Sequence, residues 1–149
     1  METEAMMEIT NTEPREKTRI TLAVDDYKRL STLADAASGR MPELAAELAD
    51  EIGRADIVSE GPQLEDVVRM NSEVEFRDET TGKIHKVRLV YPADADIAVG
   101  KMSVLTPVGT ALIGVRAGDS ISWQTRSGES RQLTVLSVRE PFRVESLAP

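Results

Sequence analysis

The residue types that most often perform catalysis are scarce in this sequence. It contains no cysteine and a single histidine, His85. That composition excludes a thiol nucleophile, a thiolate zinc site and a centre built from several histidines. His85 lies between Ile84 and Lys86 in an alternating run, with no nucleophile or acid nearby in sequence for it to orient. We therefore predict no catalytic residue, no metal ligands and no cofactor.

The carboxylates offer weaker candidates. Asp94 and Asp96 lie two positions apart and could together bind a cation or a basic partner. No further ligand stands near them in the sequence, so a solvated loop is the favoured interpretation. Trp123 alternates with Ile121 and is predicted to lie in the core or on a half-buried face. An exposed tryptophan at that position would instead be a strong interface anchor.

Charge is distributed unevenly along the 149 residues. Lys plus Arg is 18 and Asp plus Glu is 26, a net charge of −8, which disfavours direct binding of nucleic acid. Residues 1–72 hold 8 basic and 16 acidic side chains, and residues 73–149 hold 10 of each. This division predicts an acidic tail and extension joined to a neutral domain. The N-terminus lacks an apolar targeting segment and no stretch is apolar enough to span a membrane, so we expect a cytoplasmic protein.

The first part is predicted to be a short antiparallel helical hairpin at residues 19–58, after a disordered acidic tail at 1–18. Residues 18–22 alternate and indicate a short extended run. Asp25 or Asp26 is expected to cap the first helix, and Pro42 suits the first turn of the second. The helical stripe consists of Tyr27, Leu30, Leu33, Ala34 and Ala37, then Leu44, Leu48, Ile52 and Ala55.

Two arrangements of this hairpin remain open from the sequence. Each arm has about 13 residues and would extend roughly 20 Å if the pair projects as a coiled coil. Alternatively, the hairpin lies on the core, because helices this short need their apolar faces covered. The second helix carries an acidic face that is either simply solvated or steers the hairpin towards a positive surface. That face consists of Glu43, Glu47, Asp50 and Glu51.

The second part is predicted to be an α+β domain at residues 72–140, reached through a linker at 59–71 and followed by a tail at 141–149. Gly61-Pro62 marks the boundary, after which the apolar period changes from helical to alternating. Runs around 74–76, 87–91, 102–105, 120–124 and 133–138 indicate a mainly antiparallel sheet. Thr106 followed by Pro107 predicts an N-cap and a first helical residue, and Gly114 closes the one short helix.

Four ordered blocks carry a family resemblance. They are Val-Arg-Met-Asn-Ser-Glu-Val at 68–74, Leu-Val-Tyr-Pro-Ala-Asp-Ala-Asp-Ile at 89–97, Ser-Val-Leu-Thr-Pro-Val-Gly-Thr-Ala-Leu-Ile-Gly at 103–114 and Gly-Asp at 118–119. In this order they resemble the C-terminal domain of the Gre transcript-cleavage factors and, more closely, the regulator of nucleoside diphosphate kinase (Rnk) family. The similarity covers residues 18–140.

The resemblance implies an FKBP-like C-terminal domain that docks on the rim of the bacterial RNA polymerase secondary channel, with the hairpin pointing into the channel. Nucleic acid would then be met only through the polymerase complex. The docking surface implied by the family lies at the start of the short helix and maps onto Ser103, Leu105, Thr106, Pro107 and Val108. An exposed helix start beside a rigid Thr-Pro cap is physically suited to anchoring a partner.

The hairpin tip distinguishes among the functions that the resemblance allows. Gre factors carry acidic residues at the tip that help to hold a catalytic magnesium ion. Here Asp35 and Glu43 only flank a turn whose one charged residue is Arg40. We therefore expect a non-enzymatic regulator that competes with Gre-type factors and does not stimulate transcript cleavage. By resemblance it also affects nucleoside diphosphate kinase levels.

Two enzymatic alternatives stay open. One is a true Gre-type cleavage factor. The other is a peptidyl-prolyl isomerase, an activity that an FKBP-like fold can host. The five aromatic residues of the chain are few for both an isomerase pocket and a core.

Overall fold

The N-terminal helices connect two parallel strands. The structure is a computed structural model and describes residues 19–124 and 127–139, so the predicted tails at 1–18 and 141–149 lie outside it. Strand β1 (Thr21–Ala23) leads directly into helix α1 (Val24–Ala37), and α2 (Pro42–Gly53) is followed by β2 (Asp56–Val58). Strands β1 and β2 pair in parallel, so the helical hairpin is the crossover that every parallel pair needs. Strand β2 was not among the elements predicted from the sequence.

The starts of the two helices show one correct and one wrong prediction. Pro42 is the first residue of α2, as predicted, because its missing N–H has no role at that position. The predicted cap of α1 by Asp25 or Asp26 is wrong. Ala23 occupies the cap position without a side-chain hydrogen bond, because the β1 pairing carries the chain straight into the helix.

The C-terminal part is a five-stranded sheet crossed by one short helix. The strands are β3 (Glu73–Asp78), β4 (Ile84–Val90), β5 (Lys101–Ser103), β6 (Ser120–Gln124) and β7 (Ser130–Arg139), and the helix is α3 (Pro107–Leu112). Their order is β5-β4-β3-β7-β6. All neighbours are antiparallel except β4 and β5, which are parallel. The predicted α+β architecture with a mostly antiparallel sheet is confirmed, with this one parallel pair as the departure.

Tight turns make the parallel pairing of β5 possible. Between β4 and β5 the chain forms two 3₁₀ turns, Pro92–Asp94 and Ile97–Val99. Gly100 then takes a left-handed conformation with φ of 82° before β5 begins. The predicted break in the sheet pattern after Tyr91 is therefore the crossover that returns the chain to the edge of β4.

A single core cluster joins the helices to the sheet. Leu30 of α1 and Leu48 of α2 are fully buried in the same cluster as Leu89 of β4 and Leu112 of α3. Four residues within the segment 59–71 are also buried, namely Leu64, Val67, Val68 and Met70. The hairpin therefore lies against the core through its apolar face, and residues 35–43 around its turn contain no buried side chain.

Candidate functional site

The start of α3 is held rigidly by local hydrogen bonds. The Thr106 hydroxyl accepts a hydrogen bond from the Gly109 N–H at 2.9 Å and donates one to the Ser103 carbonyl at 2.9 Å. The Ser103 hydroxyl in turn accepts from the Leu105 N–H at 3.0 Å. The predicted Thr106 cap and Pro107 start are confirmed. This network fixes the backbone of the segment that the resemblance assigns to docking.

Gly109 allows α3 to approach β5 closely, and sequence reasoning missed it. A Cβ at this position would lie 2.3 Å from the Ser103 carbonyl oxygen and 2.8 Å from the Thr106 hydroxyl. Neither neighbour can withdraw without breaking the cap. The only signal for this close approach in the sequence was a glycine near the start of a predicted helix, where glycine is intrinsically unfavourable.

The start of α3 forms one wall of an open groove of about 560 Å³. Trp123 of β6 and the turn before β5 complete it. The residues that line the groove are Ala95, Asp96, Ile97, Lys101, Met102, Ser103, Thr106, Pro107, Val108 and Trp123. We call this surface the α3 groove. The structure thus brings together four of the five residues predicted to bind a partner.

Leu105 is the predicted docking residue that the groove does not include. Its side chain is 5% exposed and belongs to the core cluster. Its position next to the Thr106 cap turns it inward, so a direct contact between its side chain and a partner does not fit this structure. Trp123, in contrast, is half-buried and packs on the core while lining the groove, which combines the two alternatives considered for it.

Ile97 gives the α3 groove an exposed apolar rim that sequence reasoning did not assign. Its side chain is 68% exposed, and that of nearby Val99 is 66% exposed. Large apolar side chains this exposed beside an apolar groove are typical of interaction sites. The available signal was the apolar triplet at 97–99 between Asp96 and a turn glycine.

The hairpin turn is separate from the α3 groove. Asp35, Arg40 and Glu43 are all exposed, and the structure places them on the hairpin around residues 38–41. The Ser38 hydroxyl donates to the Asp35 carbonyl at 2.9 Å, which closes the end of α1. Within residues 19–124 and 127–139, no group of three or more His, Asp or Glu side chains is placed to hold a metal ion.

A partly buried polar cluster fastens α1 to the sheet. Asp26 Oδ2 accepts a hydrogen bond from the Met70 N–H at 3.2 Å. Burial raises the pKa of the Asp26 carboxyl above its ordinary value, against the lowering effects of the Met70 hydrogen bond and of Arg69. Arg69 itself pairs with Glu60 at 2.5 Å. The Asp26 contact ties the start of α1 to the segment that precedes β3.

Arg29 and Tyr91 form the second contact of this junction. The Arg29 guanidinium lies 4.8 Å from the centre of the Tyr91 ring, a cation–π distance. Burial raises the pKa of Tyr91 to about 12, with the Asp26 carboxylate as a second cause. Its hydroxyl has no hydrogen-bond partner among the described residues.

Of the remaining candidates, His85 and Asp94 lie outside the α3 groove and Asp96 lines it. His85 is exposed on β4 and stacks on Phe76 at 5.3 Å between ring centres. Asp94 and Asp96 are both exposed, and the backbone of Asp96 bridges to Lys101 at the edge of β5. None of the helices that the structure describes has the length and apolarity to cross a membrane.

Two family models match consecutive parts of the chain. The model described as "Rnk N-terminus" matches residues 18–58, and the model described as "Transcription elongation factor, GreA/GreB, C-term" matches residues 63–140. The second match alone covers more than half of the chain.

Individual relatives give the same assignment. The regulator of nucleoside diphosphate kinase of Escherichia coli strain K12 is 37% identical over 113 residues, which cover 76% of this chain and 83% of the relative. The transcription elongation factor GreA of Azorhizobium caulinodans is 31% identical over 114 residues, covering 76% of this chain and 69% of that one. A solved GreA/GreB factor from Nitrosomonas europaea superposes with a TM-score of 0.64 at 34% identity, covering 83% of this chain and all of the other. This chain belongs to the Rnk family of GreA/GreB-related transcription factors.

Proposed function

We propose that the chain is a non-enzymatic regulator of bacterial transcription elongation that binds RNA polymerase at the rim of its secondary channel through the α3 groove. The observation that carries the proposal is the convergence of Ser103, Thr106, Pro107 and Val108 on one open apolar surface. The resemblance assigns those residues to docking, and the groove adds Ile97 and Trp123 as apolar anchors. A preformed groove supports binding because little conformational entropy is lost on association.

We further propose that residues 72–140 form an FKBP-like docking domain and that the hairpin of residues 19–58 points its exposed turn, residues 35–43, into the channel. In this arrangement the chain occupies the channel in competition with Gre-type factors, in the cytoplasm where the polymerase works. Any effect on nucleoside diphosphate kinase levels then follows from altered transcription.

The hairpin supports occupancy without transcript cleavage. Helix α1 has 14 residues, so its length is about 21 Å, and part of that length is packed on the core. A magnesium ion inside the polymerase needs carboxylate oxygens at about 2 Å. Asp35 and Glu43 flank the turn, and the turn itself, residues 38–41, contains Arg40 and no acidic residue.

Binding of purified chain to core RNA polymerase tests the proposal directly. We expect Ile97→Glu to weaken binding at least tenfold, because it places a charge on the groove rim without disturbing a buried side chain. Ile57→Glu is the matched control, since Ile57 is exposed on β2 away from the groove. Equal binding by both variants would place the docking surface elsewhere.

Two assays separate the enzymatic alternatives. When backtracked polymerase is incubated with the chain and magnesium, we expect the transcript 3′ end to stay intact. When GreA is added as well, we expect slower transcript cleavage than with GreA alone, because the chain occupies the channel. Rapid shortening of the transcript in the presence of the chain without GreA would show that the chain is a cleavage factor. For the isomerase alternative, the groove offers Trp123 as its one aromatic residue. Efficient turnover of a short proline peptide would contradict the regulatory assignment.

A further inference from the structure

The outer edge of β4 is only partly covered by its neighbour. Strand β4 starts at Ile84, but β5 pairs only with Arg88, Leu89 and Val90. Within residues 19–124 and 127–139, the first half of β4 is therefore hydrogen-bonded to β3 on one side and has no strand on the other.

Hydrogen-bond directions show which backbone groups face this uncovered edge. The Leu89 N–H donates to the Ser72 carbonyl, and the Leu89 carbonyl accepts from the Asn71 N–H, so Leu89 faces the β3 side. Arg88 faces the other way, because its N–H donates to the Gly100 carbonyl. Directions alternate along a strand, so the N–H and C=O of Ile84 and Lys86 point outward. No loop or turn of the described chain supplies them with a hydrogen-bond partner.

Exposed lysines line the same edge in a chain of net charge −8, with Glu75 across from Lys86 and Asp96 across from Lys101. Lys83, Lys86 and Lys101 are exposed, and Lys101 belongs to the strand that continues the edge. In the part of the chain that the structure covers, the ion pairs use arginines, and none of these three lysines takes part in one. Ile84 adds a 55% exposed apolar side chain between the charges.

We propose that the outer edge of β4 binds an extended acidic segment of a partner protein, which adds to the sheet as a strand. Backbone hydrogen bonds to Ile84 and Lys86 would supply the affinity, as in other cases of strand addition. Ile84 and Lys86 share one face of the sheet. The added strand therefore carries an apolar residue opposite Ile84 and an acidic residue two positions away, opposite Lys86. Ile84 and Lys86 do not line the α3 groove, although Lys101 belongs to both surfaces.

A second copy of the chain fits this edge less well. Pairing two identical edges would bring the lysines of both copies together, and like charges on adjacent strands are destabilising. An acidic strand instead places an opposite charge against Lys86.

The test uses amide NMR on the intact chain with the peptide Thr-Glu-Thr-Val-Thr-Glu-Thr, which presents an acidic residue on either side of its valine in both strand directions. We expect hydrogen exchange at the Ile84 and Lys86 amides to slow on binding. The His85 and Val87 amides, which already face β3, serve as internal controls and should change little. A peptide with lysine in place of glutamate should not bind.

Charge variants complete the experiment. Lys86→Glu should lower the peptide affinity about fivefold, since one exposed charge pair is replaced by repulsion. Lys28→Glu, on the exposed surface of α1, should leave it unchanged. The proposal is overturned if hydrogen exchange at the two outward amides does not slow, if Lys86→Glu binds the peptide as well as the wild type, or if the chemical-shift changes on binding map to the α3 groove. Protection of these amides in a dimer of the free chain would also overturn it and would identify a second copy as the occupant.

Discussion

Asp26 of α1 accepts a hydrogen bond from the backbone N–H of Met70 at 3.2 Å, although the two residues are 44 positions apart. This contact ties the helical hairpin to the segment that enters the sheet. It also buries a carboxyl group, and burial is the main cause of its raised pKa.

The Asp26 contact predicts a pH dependence of stability. Because the folded-state pKa lies above the unfolded value, the folded chain binds the proton more tightly. The favourable contribution is therefore present below the unfolded pKa and is lost as the pH rises through the raised folded value. Asp26→Asn removes this titration and keeps an oxygen for the Met70 N–H.

Urea unfolding at pH 4 and pH 7 measures this effect. We expect the free energy of unfolding of Asp26→Asn, relative to that of the wild type, to increase as the pH rises from 4 to 7. Asp25→Asn, which removes an exposed neighbouring charge, reports the effect of net charge alone. If the free energies of unfolding of wild type and Asp26→Asn differ by the same amount at both pH values, the prediction is wrong.

Gly109→Ala should destabilise the fold by about 1–3 kcal/mol, because overpacking against fixed backbone has this cost. The added Cβ would meet the Ser103 carbonyl and the Thr106 cap. Gly39→Ala is the matched control, since nothing lies within 4 Å of a Cβ at the hairpin turn. Chemical denaturation of both variants measures this difference in stability. Equal denaturation midpoints for the two variants would disprove the close approach of α3 to β5.

Removal of the Thr106 cap should cost about 1 kcal/mol in Thr106→Ala. Thr106→Ser keeps the hydroxyl that accepts from Gly109 and should retain most of the stability. Because Thr106 also lines the α3 groove, we expect polymerase binding to fall in the alanine variant and to recover in the serine variant. Loss of stability in both variants would show that the methyl group, and not the hydroxyl, matters.

The parts of this structure that sequence reasoning predicted are local ones. The cap at Thr106, the helix start at Pro42 and the alternation of β3 and β4 depend on neighbours within a few positions. The Asp26–Met70 contact, the β1–β2 pairing and the parallel placement of β5 depend on residues that meet only after folding. The local pattern therefore wrongly predicted a cap by Asp25 or Asp26, because strand pairing sets the start of that helix.

The candidate docking site shows the same division between local and tertiary information. The sequence indicated a rigid turn at 103–108, but only packing reveals that Leu105 turns into the core and that Ile97, from a different turn, completes the surface. Gly109 was overlooked for a related reason, since the Ser103 carbonyl that excludes a side chain there is brought close by the fold.

Leu105 and Ile97 should respond oppositely to truncation. Leu105→Ala removes a buried core side chain and should cost about 2–5 kcal/mol of stability. Ile97→Ala removes an exposed side chain and should leave the free energy of unfolding within about 0.5 kcal/mol of the wild type while weakening polymerase binding. Affinity measured at a temperature where both variants are fully folded separates direct contact from loss of fold. There the Leu105 variant should bind almost normally, because its side chain does not line the groove. A large loss of affinity in folded Leu105→Ala, together with normal binding by Ile97→Ala, would reverse this assignment and show that the partner reaches past the cap to the core side of α3.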